Sequence, residues 1–134
     1  TFISHGQIYF IDFGLATKFG KDNSYKNYTK FVGKKKYKAP EVYNKIAFDA
    51  FKADIWSMGV ILFMMTFGLC PYKEPTKNDE MFQYIKDGNI DQWAKTFGKT
   101  PFVSVYLINL FSHIFCNQNN RWYIKKILKH RYLK

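Results

Sequence analysis

The chain has 134 residues, enough for one domain or part of one, and 47% of them are apolar and 20% aromatic. This composition excludes intrinsic disorder as the main description, because the chain can bury enough surface to form a core. The formal net charge of +11 suits an acidic partner. The excess consists of dispersed lysines, however, so a general compositional bias explains it better than nucleic-acid binding does.

The sequence carries no sign of export or membrane insertion. No basic stretch followed by an apolar one opens the chain, so no signal peptide is predicted. Cys70 and Cys116 lie too far apart for a CxxC or metal-ligand motif, which favours a reducing cytoplasmic or nuclear location. Two uncharged runs, residues 55–72 and 100–120, approach the length of a membrane span. Glycine, proline and polar residues interrupt them, so both are predicted to be buried helices.

The chain opens with a pattern typical of a β-hairpin. Two apolar stretches, Phe2–Ile3 and Ile8–Ile11, flank a turn at Gly6. A polar segment without a regular period follows over residues 15–38. Segments of this length inside a compact domain are commonly functional loops.

The rest of the chain is predicted to be helical. Ala39–Glu41 begins a short helix, since proline is favoured in a first turn. A longer helix, Ala53–Thr66, is apolar nearly all round and is therefore predicted to be fully buried. Three further helices are predicted: one from a capping box at Thr76–Asp79 to near Gly88, one over Phe102–Cys116 and one over Trp122–Leu128. The expected fold is mainly α with a short N-terminal β-hairpin.

Several short motifs follow one another in an order that resembles the later part of the large C-terminal lobe of eukaryotic protein kinases. Asp12-Phe13-Gly14 and Ala39-Pro40-Glu41 correspond to the two ends of the kinase activation segment. The motifs that follow are Asp54–Gly59, Gly68–Tyr72, and Arg121 with Leu128 and His130. The resemblance covers essentially the whole chain and is most like the calmodulin-dependent and checkpoint-type Ser/Thr kinases.

The resemblance divides the chain into three parts of a partial kinase-like α+β domain. Residues 1–11 are the strand pair before the DFG motif, residues 12–41 are the activation segment, and residues 42–134 are helices of the C-terminal lobe. It implies transfer of the ATP γ-phosphate to Ser or Thr hydroxyls of a protein substrate, with ATP and Mg²⁺ as cofactors in a complete domain.

The resemblance also assigns roles to single residues of the DFG motif. Asp12 looks like the carboxylate that holds Mg²⁺ against the nucleotide phosphates, and it is expected at the end of a strand. Phe13 is expected to pack into the hydrophobic spine of the kinase core. Gly14 allows the backbone to reverse. These three residues form the expected cofactor-binding site, with Asp12 as its metal ligand.

Four further residues are implied to have structural roles. Asp54 is expected to hydrogen-bond the backbone of the catalytic loop, although a simple helix N-terminal charge is the alternative. Glu41 and Arg121 look like a buried ion pair that joins the activation segment to the last helices. Trp56 is expected in the core.

The sequence departs from the family at positions that matter for activity. The catalytic base is an aspartate expected upstream of Thr1, so no catalytic residue is assigned in this chain. The glycine-rich loop, the strand lysine and the small N-terminal lobe are also expected outside it, so the chain alone is predicted to be inactive. Lys34 stands where the family has a threonine.

The activation segment holds candidate residues for substrate contact and control. Lys34, Lys35, Lys36 and Tyr37 are expected to face the substrate, and the lysines favour acidic peptides. Thr29, with Ser24 and Tyr28, is a candidate for a regulatory phosphate that nearby lysines would bind. The equally weighted alternative is that these are ordinary loop hydroxyls.

Two other functions remain open at this point. The chain could be a pseudokinase or truncated lobe that serves as a protein-docking module, or a basic nucleic-acid-binding domain. The dispersed lysines disfavour the second of these. The sequence upstream of Thr1 would separate an active kinase from a docking module, because an intact catalytic loop and strand lysine favour the enzyme.

Overall fold

The structure, a computed structural model, describes residues 2–98 and 104–134, without the side chains of residues 2–4. It begins with the predicted hairpin, in which β1 (Phe2–Ser4) pairs antiparallel with β2 (Gln7–Tyr9). His5 and Gly6 form the turn with φ of 50° and 75°. β2 ends at Tyr9, two residues before the position that the apolar pattern predicted.

Aromatic contacts hold the polar segment against the helices. Tyr28 and Phe48 exchange backbone hydrogen bonds of 2.9 and 3.1 Å in an isolated antiparallel bridge. The Phe19 ring meets the Tyr28 ring edge-on at 5.1 Å, and the Tyr25 ring lies 4.5 Å from that of Phe51. The segment also contains two short 3₁₀ turns, Ser24–Asn27 and Lys35–Tyr37. It is therefore an ordered loop.

Six α-helices are found in the described part of the chain. They are α1 (Pro40–Tyr43), α2 (Ala50–Phe67), α3 (Glu80–Lys86), α4 (Ile90–Thr96), α5 (Val105–Ile114) and α6 (Ile124–Ile127), followed by a 3₁₀ turn at Arg131–Leu133. The sequence pattern predicted all of them except α4. The expected start of the α5 helix at Phe102 lies outside the described residues.

The start of α3 corrects the predicted capping box. Asp79, not Thr76, caps the helix, because one of its carboxylate oxygens accepts the Phe82 N–H at 3.0 Å. Its other oxygen accepts the N–H groups of Lys73 and Glu74 at 2.8 and 3.0 Å. The two oxygens of the Asp79 carboxylate thus serve the helix and the preceding loop together.

The core forms around one side of α2. Trp56, Val60 and Phe63 on that side are fully buried, and the Phe63 ring meets the Trp93 ring of α4 edge-on at 4.6 Å. The buried indole N–H groups are satisfied, since Trp56 donates to the Tyr72 hydroxyl and Trp93 to the Pro71 carbonyl, both at 2.6 Å. The core is thus largely aromatic, with its polar atoms paired.

The opposite side of α2 is exposed, so the prediction of a fully buried helix is wrong. Met58, Ile61 and Met65 form a stripe at helical spacing, and Met65 is 77% exposed. By length and composition alone α2 could cross a membrane, but core helices meet the same criterion, so one such helix is weak evidence of a span; 39% of α2 is buried here. Both sides of the helix are apolar in sequence, but the pattern does not show which side is covered by another described element.

α2 and α5 approach closely at Gly59. A Cβ atom at this position would overlap the Ile114 side chain and lie 3.2 Å from the Phe115 ring. Alanine is normally better than glycine inside a helix by about 1 kcal/mol. Here an added methyl group would force the two helices apart. Close packing, rather than helix propensity, therefore favours glycine at position 59.

We expect Gly59→Ala to lower the free energy of unfolding by about 1–3 kcal/mol, as overpacking of a core does. Chemical denaturation measures this change. The destabilisation should shrink in an Ile114→Ala background, which removes the overlapping methyl group. A stabilising effect in the wild-type background would show that the helices do not meet here.

A stacked imidazole joins α5 to the last helix. The His113 ring lies 3.7 Å from the Trp122 ring, nearly parallel to it, and Lys126 Nζ lies 4.0 Å from the same indole. Burial, followed by the charges of His130 and Lys126, lowers the pKa of His113. The unfolded chain therefore binds a proton on His113 more readily than the folded chain does.

Stability should accordingly fall as the pH drops below about 6.5, the unfolded histidine pKa. The thermal midpoint, measured from about pH 7.5 to about pH 5.5, should decrease more steeply for the wild type than for His113→Phe, which keeps a stacked ring without a proton site. His5→Gln is the matched control, because His5 is exposed in the hairpin turn. If the thermal midpoint of His113→Phe decreased with pH as steeply as that of the wild type, protonation of His113 would not be the cause of the lost stability.

Candidate functional site

The Asp12–Gly14 motif lies just beyond the hairpin and faces solvent. Asp12 has a φ of 66°, and its carboxylate accepts the Gly14 N–H at 3.4 Å, a weak hydrogen bond. The residue was expected at the end of a strand, but β2 ends three residues earlier. Phe13 is 69% exposed rather than packed in a spine, because no described element reaches it.

Asp12 fits a magnesium site only as one ligand among others. No group of three or more His, Cys, Asp or Glu side chains that could hold a metal is found among the described residues. Mg²⁺ is commonly held by one or two carboxylates, with phosphate oxygens and water as the other ligands. An exposed carboxylate with a single weak hydrogen bond is compatible with that role.

A cavity of about 270 Å³ lies between the loop and the start of α2. Its lining includes Thr17, Lys34, Asp54 and Ser57. No hydrogen bond to the Asp54 carboxylate is found in the described part of the chain, and its desolvation by surrounding protein raises its pKa above the ordinary value. The cavity therefore presents a carboxylate able to accept hydrogen bonds, close to the lysine that departs from the family pattern.

The lysines that were predicted to face the substrate differ in whether their charges are paired. Lys35 Nζ lies 3.0 Å from Glu74 Oε1, and Tyr43 donates to the other Glu74 oxygen at 2.7 Å. Hydrogen bonds from Tyr43 and Lys35 lower the pKa of Glu74, and Glu74 raises that of Lys35. Lys34 and Lys36 are exposed and form no ion pair within the described residues. Tyr37, half-buried, accepts the Ser57 hydroxyl through its carbonyl.

The three candidate phosphosites occupy different surroundings. Thr29 is exposed. The Ser24 hydroxyl donates to Asp22 at 2.9 Å, and the Tyr28 hydroxyl shares a 2.6 Å hydrogen bond with Thr17. A kinase or phosphatase would reach Thr29 without breaking either of these contacts.

Glu41 and Arg121 form a buried ion pair, as the resemblance implied. Nη1 lies 2.6 Å from Oε1 and Nη2 lies 3.2 Å from Oε2, and Arg121 is 2% exposed. The remaining donors reach the carbonyls of Ile114, Lys52 and Cys116 at 2.9–3.0 Å. All five guanidinium N–H groups are thus used. The guanidinium also lies 4.8 Å from the ring of Trp56, the predicted core residue.

A second polar network, not foreseen from the sequence, supports the same region. Tyr123 donates to the Asp49 carboxylate at 2.5 Å, and this contact raises the pKa of Tyr123 to about 12. Lys52 Nζ donates to the Gln118 carbonyl at 2.7 Å and lies over the Tyr123 ring. Asp49 also caps α2 by accepting the Lys52 N–H at 3.1 Å, and nothing in the sequence identified Tyr123 as its partner.

Arg121→Met should lower the free energy of unfolding by about 3–5 kcal/mol, because it leaves the Glu41 carboxylate buried without a counter-charge. Lys35→Met is the matched control: both members of the Lys35–Glu74 pair are solvent-exposed, so breaking that pair should change the free energy of unfolding far less. Denaturant unfolding of both variants measures the difference. Equal losses of unfolding free energy in the two variants would show that the buried pair stabilises the fold no more than the exposed pair does.

The helical lobe around α2, the ordered loop that precedes it and the buried Glu41–Arg121 pair together define a protein-kinase-type C-terminal lobe. The sequence matches the protein kinase domain family over residues 1–133, and the chain belongs to that family.

The relatives that it resembles include serine/threonine-protein kinases. It is 35% identical over 97 residues to serine/threonine-protein kinase CHK1 of Saccharomyces cerevisiae, which covers 68% of this chain and 18% of the relative. It is 30% identical over 128 residues to serine/threonine-protein kinase grp of Drosophila melanogaster, covering 96% of this chain and 24% of the relative. CBL-interacting protein kinase 5 of Oryza sativa is 36% identical over 100 residues, or 73% of this chain and 20% of the relative. The chain thus spans less than a quarter of the length of these relatives.

Proposed function

We propose that this chain is the activation segment and helical lobe of a Ser/Thr kinase that transfers the ATP γ-phosphate to protein hydroxyls. The observation that carries the proposal is the family match together with the position of Asp12 and the ordered segment behind it. The proposed division is the hairpin (1–11), the activation segment (12–41) and the C-lobe helices (42–134). Free Cys70 and Cys116 support a cytoplasmic or nuclear location.

Asp12 is the proposed metal ligand of this site, with Phe13 and Gly14 beside it in the cofactor-binding motif. When bound, Mg²⁺ would neutralise charge on the ATP phosphates, which is most of what phosphoryl transfer requires. The exposed Asp12 carboxylate supplies one hard oxygen ligand for that purpose. Asp54 would hold a neighbouring loop of the complete domain through its unpaired oxygens. Neither residue is proposed as the catalytic base.

The free lysines of the segment support an acidic protein substrate. Lys34 and Lys36 are exposed and unpaired within the described residues, whereas Glu74 neutralises Lys35. Two free cations beside the path of a peptide favour carboxylates next to its acceptor hydroxyl.

Control by phosphorylation is proposed at Thr29, the accessible hydroxyl among the candidates. Lys26 and Lys30 are exposed nearby in sequence and would pair with a phosphate. The aromatic contacts of Tyr25 and Tyr28 already order the segment. A phosphate at Thr29 would therefore strengthen an existing arrangement rather than create one.

In the full-length protein, Asp12→Asn should reduce phosphate transfer by about two orders of magnitude or more, because it removes one charge from the metal site and keeps its shape. A radiolabelled ATP assay on a generic protein substrate measures this, and thermal melting should be unchanged. Asp22→Asn is the matched control, an exposed carboxylate in the same segment, and should keep full activity. Near wild-type transfer by Asp12→Asn would exclude the assignment.

The same assay separates the enzyme from the alternative docking module. The exposed stripe of α2 is the observation that favours such a module, since it is an apolar surface that another protein segment could cover. A full-length protein that neither binds Mg·ATP in calorimetry nor transfers phosphate, but keeps its fold, would support docking over catalysis.

A further inference from the structure

Lys35 has a counter-ion, which is unusual among the cations of this chain. The sequence holds 21 Lys and Arg but only 10 Asp and Glu. Among the described residues, two of these cations form an ion pair: Arg121 in the core, and Lys35, whose Nζ lies 3.0 Å from Glu74 Oε1. Lys34 and Lys36, on either side of Lys35, have no such partner there. The carboxylate that reaches this run of lysines is therefore paired with its middle member.

The backbone around Glu74 is held by contacts of its own loop. The Glu74 N–H donates to the Asp79 carboxylate at 3.0 Å, and the Glu74 carbonyl accepts the Thr76 N–H at 2.8 Å. Pro75, the next residue, is fully buried, and its ring fixes its own φ angle. The Glu74 side chain thus extends towards the run of lysines from a backbone position that three contacts hold.

The two oxygens of the Glu74 carboxylate have different partners. Tyr43 of α1 donates to Oε2 at 2.7 Å, which leaves Oε1 for Lys35. α1 is itself anchored by the buried pair of Glu41 with Arg121. Hydrogen bonds from Tyr43 and then Lys35 lower the pKa of Glu74, so the carboxylate is ionised at neutral pH. Its negative charge is therefore present beside Lys35 whenever the lysine is positive.

The turn that carries Lys35 is held in place by other contacts. The Tyr37 carbonyl accepts the Ser57 hydroxyl of α2 at 2.8 Å, and Lys38 Nζ donates to the Phe31 carbonyl at 3.1 Å. Exposed ion pairs, in contrast, contribute little to stability. The main effect of the carboxylate is therefore on the charge that the turn presents, and not on its position.

We propose that Glu74 is a specificity-determining residue that masks the charge of Lys35, so that Lys34 and Lys36 contact the carboxylates of an acidic substrate and Lys35 does not. Without Glu74 the same run would present a third free cation and would favour more acidic peptides. This inference rests on the proposed substrate-facing position of the segment, but its tests do not require phosphate transfer.

The first test measures how fast single lysines of the full-length protein react with N-hydroxysuccinimidyl acetate, by mass spectrometry. Glu74 raises the pKa of Lys35, which makes the reactive neutral amine rarer. Glu74→Gln should speed the labelling of Lys35 by about two- to fivefold and leave that of Lys36 unchanged. Glu80→Gln is the matched control, because Glu80 also accepts a tyrosine hydroxyl, at 2.6 Å, but pairs with no lysine among the described residues. An unchanged Lys35 rate in Glu74→Gln would overturn the proposal.

The second test measures the affinity of the full-length protein for two fluorescent serine peptides, by anisotropy. One peptide has glutamates on both sides of the serine, and the other has glutamines in their place. Glu74→Gln should bind the glutamate peptide about two- to fivefold more tightly and the glutamine peptide as the wild type does. Glu80→Gln should bind both as the wild type does, and both variants should keep the wild-type melting temperature.

Lysine variants separate masking from a general change in charge. Lys36→Met should weaken binding of the glutamate peptide with or without Glu74. Lys35→Met should leave the affinity of the wild type unchanged, yet remove the gain when it is combined with Glu74→Gln. Equal weakening by Lys35→Met and Lys36→Met in the wild type would show that Lys35 is not masked and would overturn the proposal.

The role of Glu74 and the kinase activity give different results. Where phosphate is transferred, Glu74→Gln should lower the KM for the glutamate peptide and leave kcat unchanged, as a change in binding alone does. The expected pattern of affinities without any transfer would support the role of Glu74 and exclude the proposed activity. Equal affinity of the wild type and Glu74→Gln for the glutamate peptide would overturn the role of Glu74, whether or not phosphate is transferred.

Discussion

The Arg121 guanidinium connects three parts of the chain: α1, α2 and the segment after α5. It pairs with Glu41 of α1 and lies over the ring of Trp56 in a cation–π contact. It also donates hydrogen bonds to carbonyls of α2 and of the segment after α5. A buried pair of this kind contributes less net stability than its Coulomb energy suggests, because both ions lose their hydration. Its larger effect is geometric: five directed hydrogen bonds fix the position of α1, and so of the end of the loop before it, relative to the core.

α2 then divides the molecule into two sides with different properties. One side holds interlocked aromatic rings with every indole N–H satisfied, and Gly59 lets α5 approach it closely. The other side carries the exposed stripe with Asp54 near its start. The loop that contains Asp12 is attached to the lobe by aromatic contacts at Phe19, Tyr25 and Tyr28. The candidate site thus lies where the rigid core meets an exposed surface.

Local chemistry made much of this fold predictable. The Gly6 turn, the proline of α1 and the left-handed Gly68 after α2 were each readable from residue type. α4 has the same seven-residue length as α3, but it was missed because no capping pattern was recognised before it, whereas such a pattern located α3. The capping residue of α3 could not be identified, since Thr76 and Asp79 both accept hydrogen bonds and only the folded loop shows which one is reached.

The candidate site was predictable only in part, for a different reason. The short motifs located Asp12, Asp54 and the Glu41–Arg121 pair, but the pair came from family resemblance, because 80 residues separate its members. Pairing of Lys35 with Glu74, and of Tyr123 with Asp49, depends on how distant elements dock. The exposure of Phe13 and of the α2 stripe depends on which elements surround them, and an apolar pattern does not contain that information.

The separation of Glu41 from Arg121 also has a consequence for synthesis on the ribosome. At roughly 5–20 residues per second, Glu41 is made some four to sixteen seconds before its partner. During that interval α1 and α2 can form, but the carboxylate must remain hydrated, and the Trp56 side of the core stays open to water. Because of this order of translation, the lobe cannot complete its core until Arg121 leaves the exit tunnel, and until then chaperones can bind its exposed side chains.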